Sequence, residues 1–390
     1  MRVLIVHERY RHRGGEDAAV DAEVELLARS GVEVELLLED NRLIPGGFSA
    51  ARRLLWSPQG YSVTRQAILR VRPDLVHVHN TFPMLSPSVH DAARALGVPT
   101  VQTLHNFRVL CANALLLREA RTCEACVGRA VPWPAVMHAC YRDSVPASAA
   151  MAALIGLHRA LGTWQRKVDR FIALSPSSAR TFVAGGLPGD RIAIQPPVVP
   201  DPGPVPAGSE GRAGALFVGR LSPEKGLATV LSAWRNLAMP LDVIGDSPAP
   251  EAPVPVAGPG VRFLGRRTPA QVSEAMSRAA LLVFPSLCRE NFPLVVAEAM
   301  AHGLPVLASS GGAVEDMLEP GVTGLLVPPG DAAAWARAVE TLSADPGTSR
   351  RMGCAARAAY EARYAPAHVL AARLALYRRI LEDRKPATAD

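Results

Sequence analysis

RENFPLVVAEAMAHGLPVLAS, residues 289–309, decides how this chain is read. Pro293 suits the first position of a helix, where its missing N–H costs nothing, and the apolar pattern of LVVAEAMAHG runs on until Gly303 stops it. Glu290 then falls in a loop and Glu298 in the helix, so both carboxylates can face one cleft. The backbone from Asn291 through Phe292 and Pro293 to Leu294 puts free N–H groups at the positive end of the helix dipole, which is a ready site for a phosphate. Either Glu taken singly is accounted for by an ordinary helix with a polar face. The segment as a whole sets two hydroxyl-accepting carboxylates beside an anion site, which suits a nucleotide sugar.

Upstream, GRLSPEKGL (219–227) follows the strand-like run ALFV, so Arg220 and Lys225 project from a strand's carboxyl end, where open parallel sheets hold their ligands. A planar guanidinium and a point-charge ammonium there can neutralise a diphosphate without a metal. A strand-to-helix loop carrying Pro223 and Glu224 is also an ordinary helix start. Near the amino end, RHRGGEDAAV (11–20) places Gly14 and Gly15 between a first strand and a helix, where backbone can approach a ligand closely, although no full dinucleotide fingerprint is present. Glu16 and Asp17 beside them could meet an acceptor hydroxyl. His105 closes the run PTVQTLH and should point into a cleft, as should Asn80 at the end of DLVHVHN, whereas His77 and His79 read as mainly structural.

These motifs together resemble glycosyltransferase family 4, in which a Glu, seven residues and a second Glu contact the donor sugar. The resemblance implies a GT-B fold, with two Rossmann-like doubly wound α/β domains facing each other across a cleft and a last helix crossing back to the first domain. It implies a retaining transfer from a nucleotide diphosphate sugar, with a UDP-sugar as the expected donor, to a hydroxyl acceptor in polysaccharide, glycolipid or natural-product biosynthesis. Glu298 would bind the ribose hydroxyls, Glu290 the sugar hydroxyls, and Arg220 with Lys225 the diphosphate. His105 would lie beside the sugar's outer hydroxyl, and Gly14 and Gly15 would face donor phosphate. No cofactor is implied. This chain departs from the pattern at Asn291, where the family has Gly, and at Pro293. The alternatives are a nucleotide-sugar epimerase of the same fold and a catalytically silent nucleotide-binding protein.

The organisation agrees. At 390 residues the chain is too long for one ordinary core and suits two domains. Short apolar runs (RVLIVH, VEVELLL, DLVHVH, PTVQTLH, DRFIALS) alternate with helical segments, which means a parallel doubly wound sheet. The Pro- and Gly-rich stretch 195–214 marks a boundary, after which the alternation restarts. The expected division is 1–200 for the acceptor side, 201–365 for the donor side and 366–390 for the crossing helix. PAPEAPVPVAGPG (248–260) is a low-complexity loop.

Hydrophobic residues at 49% and charged residues at 20% describe a well-packed soluble protein. There is no uninterrupted apolar run of membrane-spanning length and no signal peptide, so the expectation is a cytoplasmic protein with reduced cysteines. The net charge of +6 lies wholly in residues 1–200, which hold 23 Arg and Lys against 17 Asp and Glu. That basic half could contact a membrane surface or a lipid-linked acceptor. No zinc finger, RNA-binding motif or basic helix supports nucleic acid. Cys111, Cys123, Cys126 and Cys140 contain one Cys-x-x-Cys pair and could hold a tetrahedral structural zinc, though the outer spacings are irregular. The family resemblance includes a subset with such an insert after a Leu-His-Asn run. Cys288 and Cys354 read as core residues.

Overall fold

The computed structural model describes residues 1–10, 13–40, 53–204, 211–247 and 258–384. Most of the low-complexity loop (248–257), part of the boundary stretch (205–210) and Arg11 lie outside them. The apolar runs form strands buried on both faces. In β1 (Arg2–Arg9) every residue from Val3 to Glu8 is buried, and all six of β3 (Leu75–Asn80) are. A strand with no polar alternation needs cover on both sides, which a parallel sheet with crossover helices provides.

The chain divides into two units. The first comprises 1–116, 123–198 and 367–390, and the second 117–122 and 199–366. The first unit's sheet adds β2 (Glu33–Asp40), β4 (Thr100–Leu104), β7 (Arg170–Ala173) and β8 (Ile192–Ile194) in the all-parallel order β2-β1-β3-β4-β7-β8. A small antiparallel hairpin, β5 (Leu117–Arg118) and β6 (Arg121–Thr122), interrupts the numbering. The second sheet is built from β9 (Ala215–Val218), β10 (Leu241–Ile244), β11 (Val261–Gly265), β12 (Leu281–Phe284), β13 (Val306–Ser309) and β14 (Gly324–Val327), in the all-parallel order β11-β10-β9-β12-β13-β14. Strand order therefore reverses between β1 and β3 in one sheet and between β9 and β12 in the other. Ligands sit at the carboxyl ends of strands flanking such a reversal.

Helices start where the chain supplies a cap. Ser57, Ser175 and Thr268 each accept a hydrogen bond from a backbone N–H three residues on, and each is followed by Pro at the first helical position. The final helix, Pro366–Glu382, belongs to the first unit although the chain reaches it through the second. It is held there by a buried polar network. Arg373 pairs with Glu23 and donates to Gln195 Oε1 at 2.8 Å, while the Tyr377 hydroxyl lies 2.7 Å from His77 Nδ1. The segment corrects one expectation: the helix after the first Glu runs from Leu294 to Ala301, with Pro293 as its extended cap, not its first turn.

Candidate functional site

In the second unit the loops after β9 and β12 meet at the strand-order reversal. Gly226 makes the approach possible. Its φ of +69° is a left-handed conformation, and a Cβ there would fall 1.9 Å from the Pro285 carbonyl oxygen. Leu287 N–H donates to the Glu224 carbonyl at 2.8 Å, tying the two loops together. Lys225 Nζ then reaches Glu290 Oε1 at 2.6 Å. The loop after β13 closes the other side: Gly312, at φ +67°, sits against the Glu290 backbone, and Ala313 N–H donates to the Glu290 carbonyl at 3.1 Å.

Three donors converge on one oxygen of Glu290. Besides Lys225, Ser286 Oγ donates to Oε1 at 2.8 Å and the Cys288 thiol at 3.5 Å. Among the described residues no side chain or backbone donor bonds Oε2. Burial pushes the Glu290 carboxyl up, but Lys225 and these hydrogen bonds outweigh it and hold the group below the ordinary carboxylate range. Burial pushes the Lys225 ammonium down, and Glu290 outweighs that too, leaving it above its ordinary value. Both are charged at neutral pH. Cys288, expected to be plain core, instead has its thiol pushed up to about 12, by burial first and then by Glu290.

Arg220 extends from the same loop, largely exposed, 3.2 Å from Glu224 Oε1. Glu298 lies on the helix that begins after Pro293. Among the described residues its carboxylate has no hydrogen-bond or ion-pair partner, and burial raises its pKa. Asn291 and Pro293 are buried beneath this loop, and Phe292 packs edge-on against Tyr364, so its side chain serves the core and only its peptide can face a ligand. Arg220, Lys225, Glu290, Glu298 and the 291–294 backbone are thus in one unit. Gly14 and Gly15, expected with the donor residues, are in the other.

In the first unit the corresponding reversal gathers neutral polar groups. His105 Nε2 lies 2.8 Å from His79 Nδ1, with the rings stacked. Burial brings His105 down to about 3 and His79 well below its ordinary value, so one ring donates and the other accepts. His77 is structural, bridging Tyr377 and, at 2.7 Å, Thr103. His79 is also buried, and it borders a pocket with Asn80, Phe82, His105, Asn106 and Arg108. Asn80 borders that pocket, yet its amide is engaged by the Glu8 carbonyl at 2.8 Å and the Phe82 N–H at 3.0 Å.

Asp17 does not face an acceptor. It is buried, bonded to His7 Nε2 at 2.9 Å and to the Gly14 N–H at 2.9 Å. Glu16 is better placed: Oε2 accepts from the Tyr10 hydroxyl at 2.9 Å and from Asn106 at 3.3 Å, while Oε1 is buried without a partner. Burial pushes Glu16 up to about 7. A Cβ at Gly14 would meet nothing within 4 Å, so no protein contact demands glycine there. Glu8, which the sequence reading passed over as part of a strand, accepts from the Met84 and Leu85 N–H groups and is also pushed up to about 7 by burial. Its position at a strand's carboxyl end, like that of His105, was the available signal.

The four clustered cysteines do not reach metal-ligand spacing. Cys111 belongs to one apolar cluster with Phe107 and Phe182, and Cys126 and Cys140 to another with Met151; burial and the nearby Cys111, Cys140 and Cys123 push the Cys126 thiol up to about 11. Cys354 is exposed, not core. Among the described residues the group with ligand atoms close enough for a metal is Glu23, His77 and His79; Glu23 Oε1, both His77 nitrogens and His79 Nδ1 are engaged by Arg373, Tyr377, Thr103 and His105, while His79 Nε2 is buried without a hydrogen-bond partner.

Comparison with known proteins gives this geometry a lineage. Residues 14–201 match the family model described as Glycosyltransferase Family 4, and residues 212–345 the one described as Glycosyl transferases group 1. Over 350 residues, 85% of each chain, the sequence is 29% identical to a GDP-mannose-dependent alpha-mannosyltransferase of Mycobacterium tuberculosis. It is 31% identical to a D-inositol 3-phosphate glycosyltransferase of Nocardia farcinica over 230 residues, 52% of this chain and 51% of that one. The fold matches a sucrose-phosphate synthase from Thermosynechococcus elongatus (TM-score 0.71, 19% identity, 98% of this chain and 99% of that one). It also matches Anabaena HepE in complex with UDP (TM-score 0.67, 17% identity, 96% and 100%). A chain with two parallel α/β units and both family segments in order is an enzyme that transfers a glycosyl group, and it belongs to glycosyltransferase family 4 with the GT-B fold.

Proposed function

We propose that the protein transfers a hexosyl group, with mannose as the favoured sugar, from a GDP-sugar to a hydroxyl acceptor with retention of anomeric configuration. The observation that carries this is the Lys225–Glu290 pair with Arg220 in the same loop, in the unit that also holds the half-buried carboxylate of Glu298. Burial raises the Glu298 carboxyl, and ribose hydroxyls would supply it with hydrogen-bond partners. Arg220 and Lys225 take the charge that develops on the diphosphate, and Glu290 Oε2 accepts from a sugar hydroxyl. The leaving diphosphate helps deprotonate the acceptor on the same face, so the chain itself needs no strong base. His105 and Glu16 contact sugar or acceptor hydroxyls, the neutral imidazole as a hydrogen-bond partner. The alignment along 85% of a GDP-mannose-dependent relative favours guanine over the uracil expected at first, whereas the UDP complex of HepE supports the fold alone. Six free thiols suit a reducing compartment, and the reading includes a cytoplasmic location.

Thermal unfolding with GDP, UDP, dTDP and ADP in the presence of a chelator tests the donor. A nucleotide at 100 times its dissociation constant adds about 2.7 kcal/mol. GDP should raise the midpoint of the native chain and not that of Glu298→Ala. A shift with UDP alone replaces the donor, and no shift with any of the four rejects the site.

A further inference from the structure

The helix Val145–Ala160 has the wrong outer face for water. Its inner face buries Met151, Ala152, Leu154 and Ile155. The outward row at four-residue spacing is Val145, Ala149, Ala153, Leu157 and then Leu161, with no charge in it. A surface helix normally turns charged residues outward, and one that is apolar all round is either fully buried or in contact with lipid. The run Val145–Arg166 contains an 18-residue window with the length and mean hydropathy of a membrane-crossing helix, and 44% of that window is buried.

The segment before it extends the same surface. Val131 packs against the helix at Gly156, where a Cβ would come 3.1 Å from its methyl group. Trp133 and Met137 are exposed beside it, Met137 by 69%. Of the thirteen exposed large apolar side chains among the described residues, six (Val131, Trp133, Met137, Val145, Leu157, Leu161) fall in these 31 positions, so they are a patch and not scatter. Residues 125–166 carry four arginines against one acid, Asp143; Arg129, Arg142 and Arg166 are exposed, while Arg159 is half-buried. Arg129 stacks on Trp133 with its guanidinium 5.1 Å from the ring. An exposed Trp and arginines bordering an apolar helix face are what lies in a bilayer interface.

We propose that this face of the first unit is a docking surface for an anionic lipid bilayer, with the helix lying in the interface plane. The charge selects the occupant. A second copy laid on this face would bring arginine rim against arginine rim, whereas acidic headgroups complement it. The helix does not span, because its inner face is committed to the unit's core.

The full chain is sedimented with vesicles of phosphatidylcholine containing about one quarter phosphatidylglycerol, and with vesicles of phosphatidylcholine alone. The native chain is expected to bind the anionic vesicles and to lose several-fold in bound fraction when salt is raised. Leu157→Glu with Leu161→Glu should reduce binding at least about fivefold, and Trp133→Ala about threefold. Val322→Glu, an exposed apolar position in the other unit, should leave it unchanged. All variants are checked for an unaltered thermal midpoint, and Leu157→Ser serves if the double variant is unstable. Failure of the native chain to bind, equal binding to neutral vesicles, or equal binding by the Leu157 variants each overturns the proposal. A concentration-dependent dimer that these variants abolish, without vesicle binding, makes the face an interface between copies instead.

Discussion

The two strand-order reversals occupy equivalent places in their sheets and carry opposite electrostatics. In the second unit Lys225 and Glu290 reinforce each other's charge, and Arg220 stands exposed beside them. In the first, burial leaves His79 and His105 neutral and pushes the Glu8 and Glu16 carboxyls to about 7. Desolvation acts in both, and what differs is whether an opposite charge lies within reach to outweigh it. One reversal is therefore suited to a permanently charged diphosphate and the other to hydroxyls met by neutral hydrogen-bonding groups.

The largest test of this contrast lies behind the histidines, at the charged pair of the first unit. Arg373→Ala leaves Glu23 buried beside His77 and should cost about 3–5 kcal/mol in urea unfolding. Glu23→Leu with Arg373→Leu should recover most of it, and a loss below about 1 kcal/mol would mean that burial there is not the governing cost. Next, Glu290→Ala should lower the transfer rate about 100-fold through kcat if the residue meets charge developing in the transition state. A rise in KM alone would reduce Glu290 to a ground-state contact.

A smaller effect probes Ser286, which shares Glu290 Oε1 with Lys225 and acts as a positioning residue. Ser286→Ala should cost about tenfold in kcat with GDP affinity unchanged, and Ser286→Thr should restore it. Lack of rescue would make the contact mere packing. The last is a pH effect. A carboxyl whose folded pKa is raised from 4.5 to about 7 contributes stability that is complete below pH 4.5 and lost as pH rises through 7. Glu16→Gln, which cannot ionise, should match the native chain near pH 4.5 and be the more stable of the two at pH 8 in thermal unfolding. Parity at pH 8 would show that Glu16 is not desolvated.

The charged cluster of the second unit was partly legible because its motifs are local. Arg220 and Lys225 are five positions apart and Glu290 and Glu298 eight, distances over which a strand end or one helix sets direction. Ser286 and Cys288 escaped because nothing in PSLC announces which way a loop hydroxyl or thiol turns. On the acceptor side Asp17 was misread, since its role as the partner of His7 depends on a strand and a helix packing together. The Cys-x-x-Cys spacing indicated that the four thiols gather, and Cys111, Cys123 and Cys140 do lie within electrostatic reach of Cys126, but mutual ligand spacing is a tertiary matter that chain spacing does not fix.

The sequence by itself determined two parallel α/β units, the family and the charged residues of the loops after β9 and β12, because strand and helix periodicity and short motifs are properties of neighbours along the chain. Only the tertiary structure decided which of these residues meet. Lys225 and Glu290 are 65 positions apart, His79 and His105 are 26, and Glu23 and Arg373 are 350. It also decided which groups keep their charge, since ionisation answers to burial and to partners that strand order, not chain order, brings within reach.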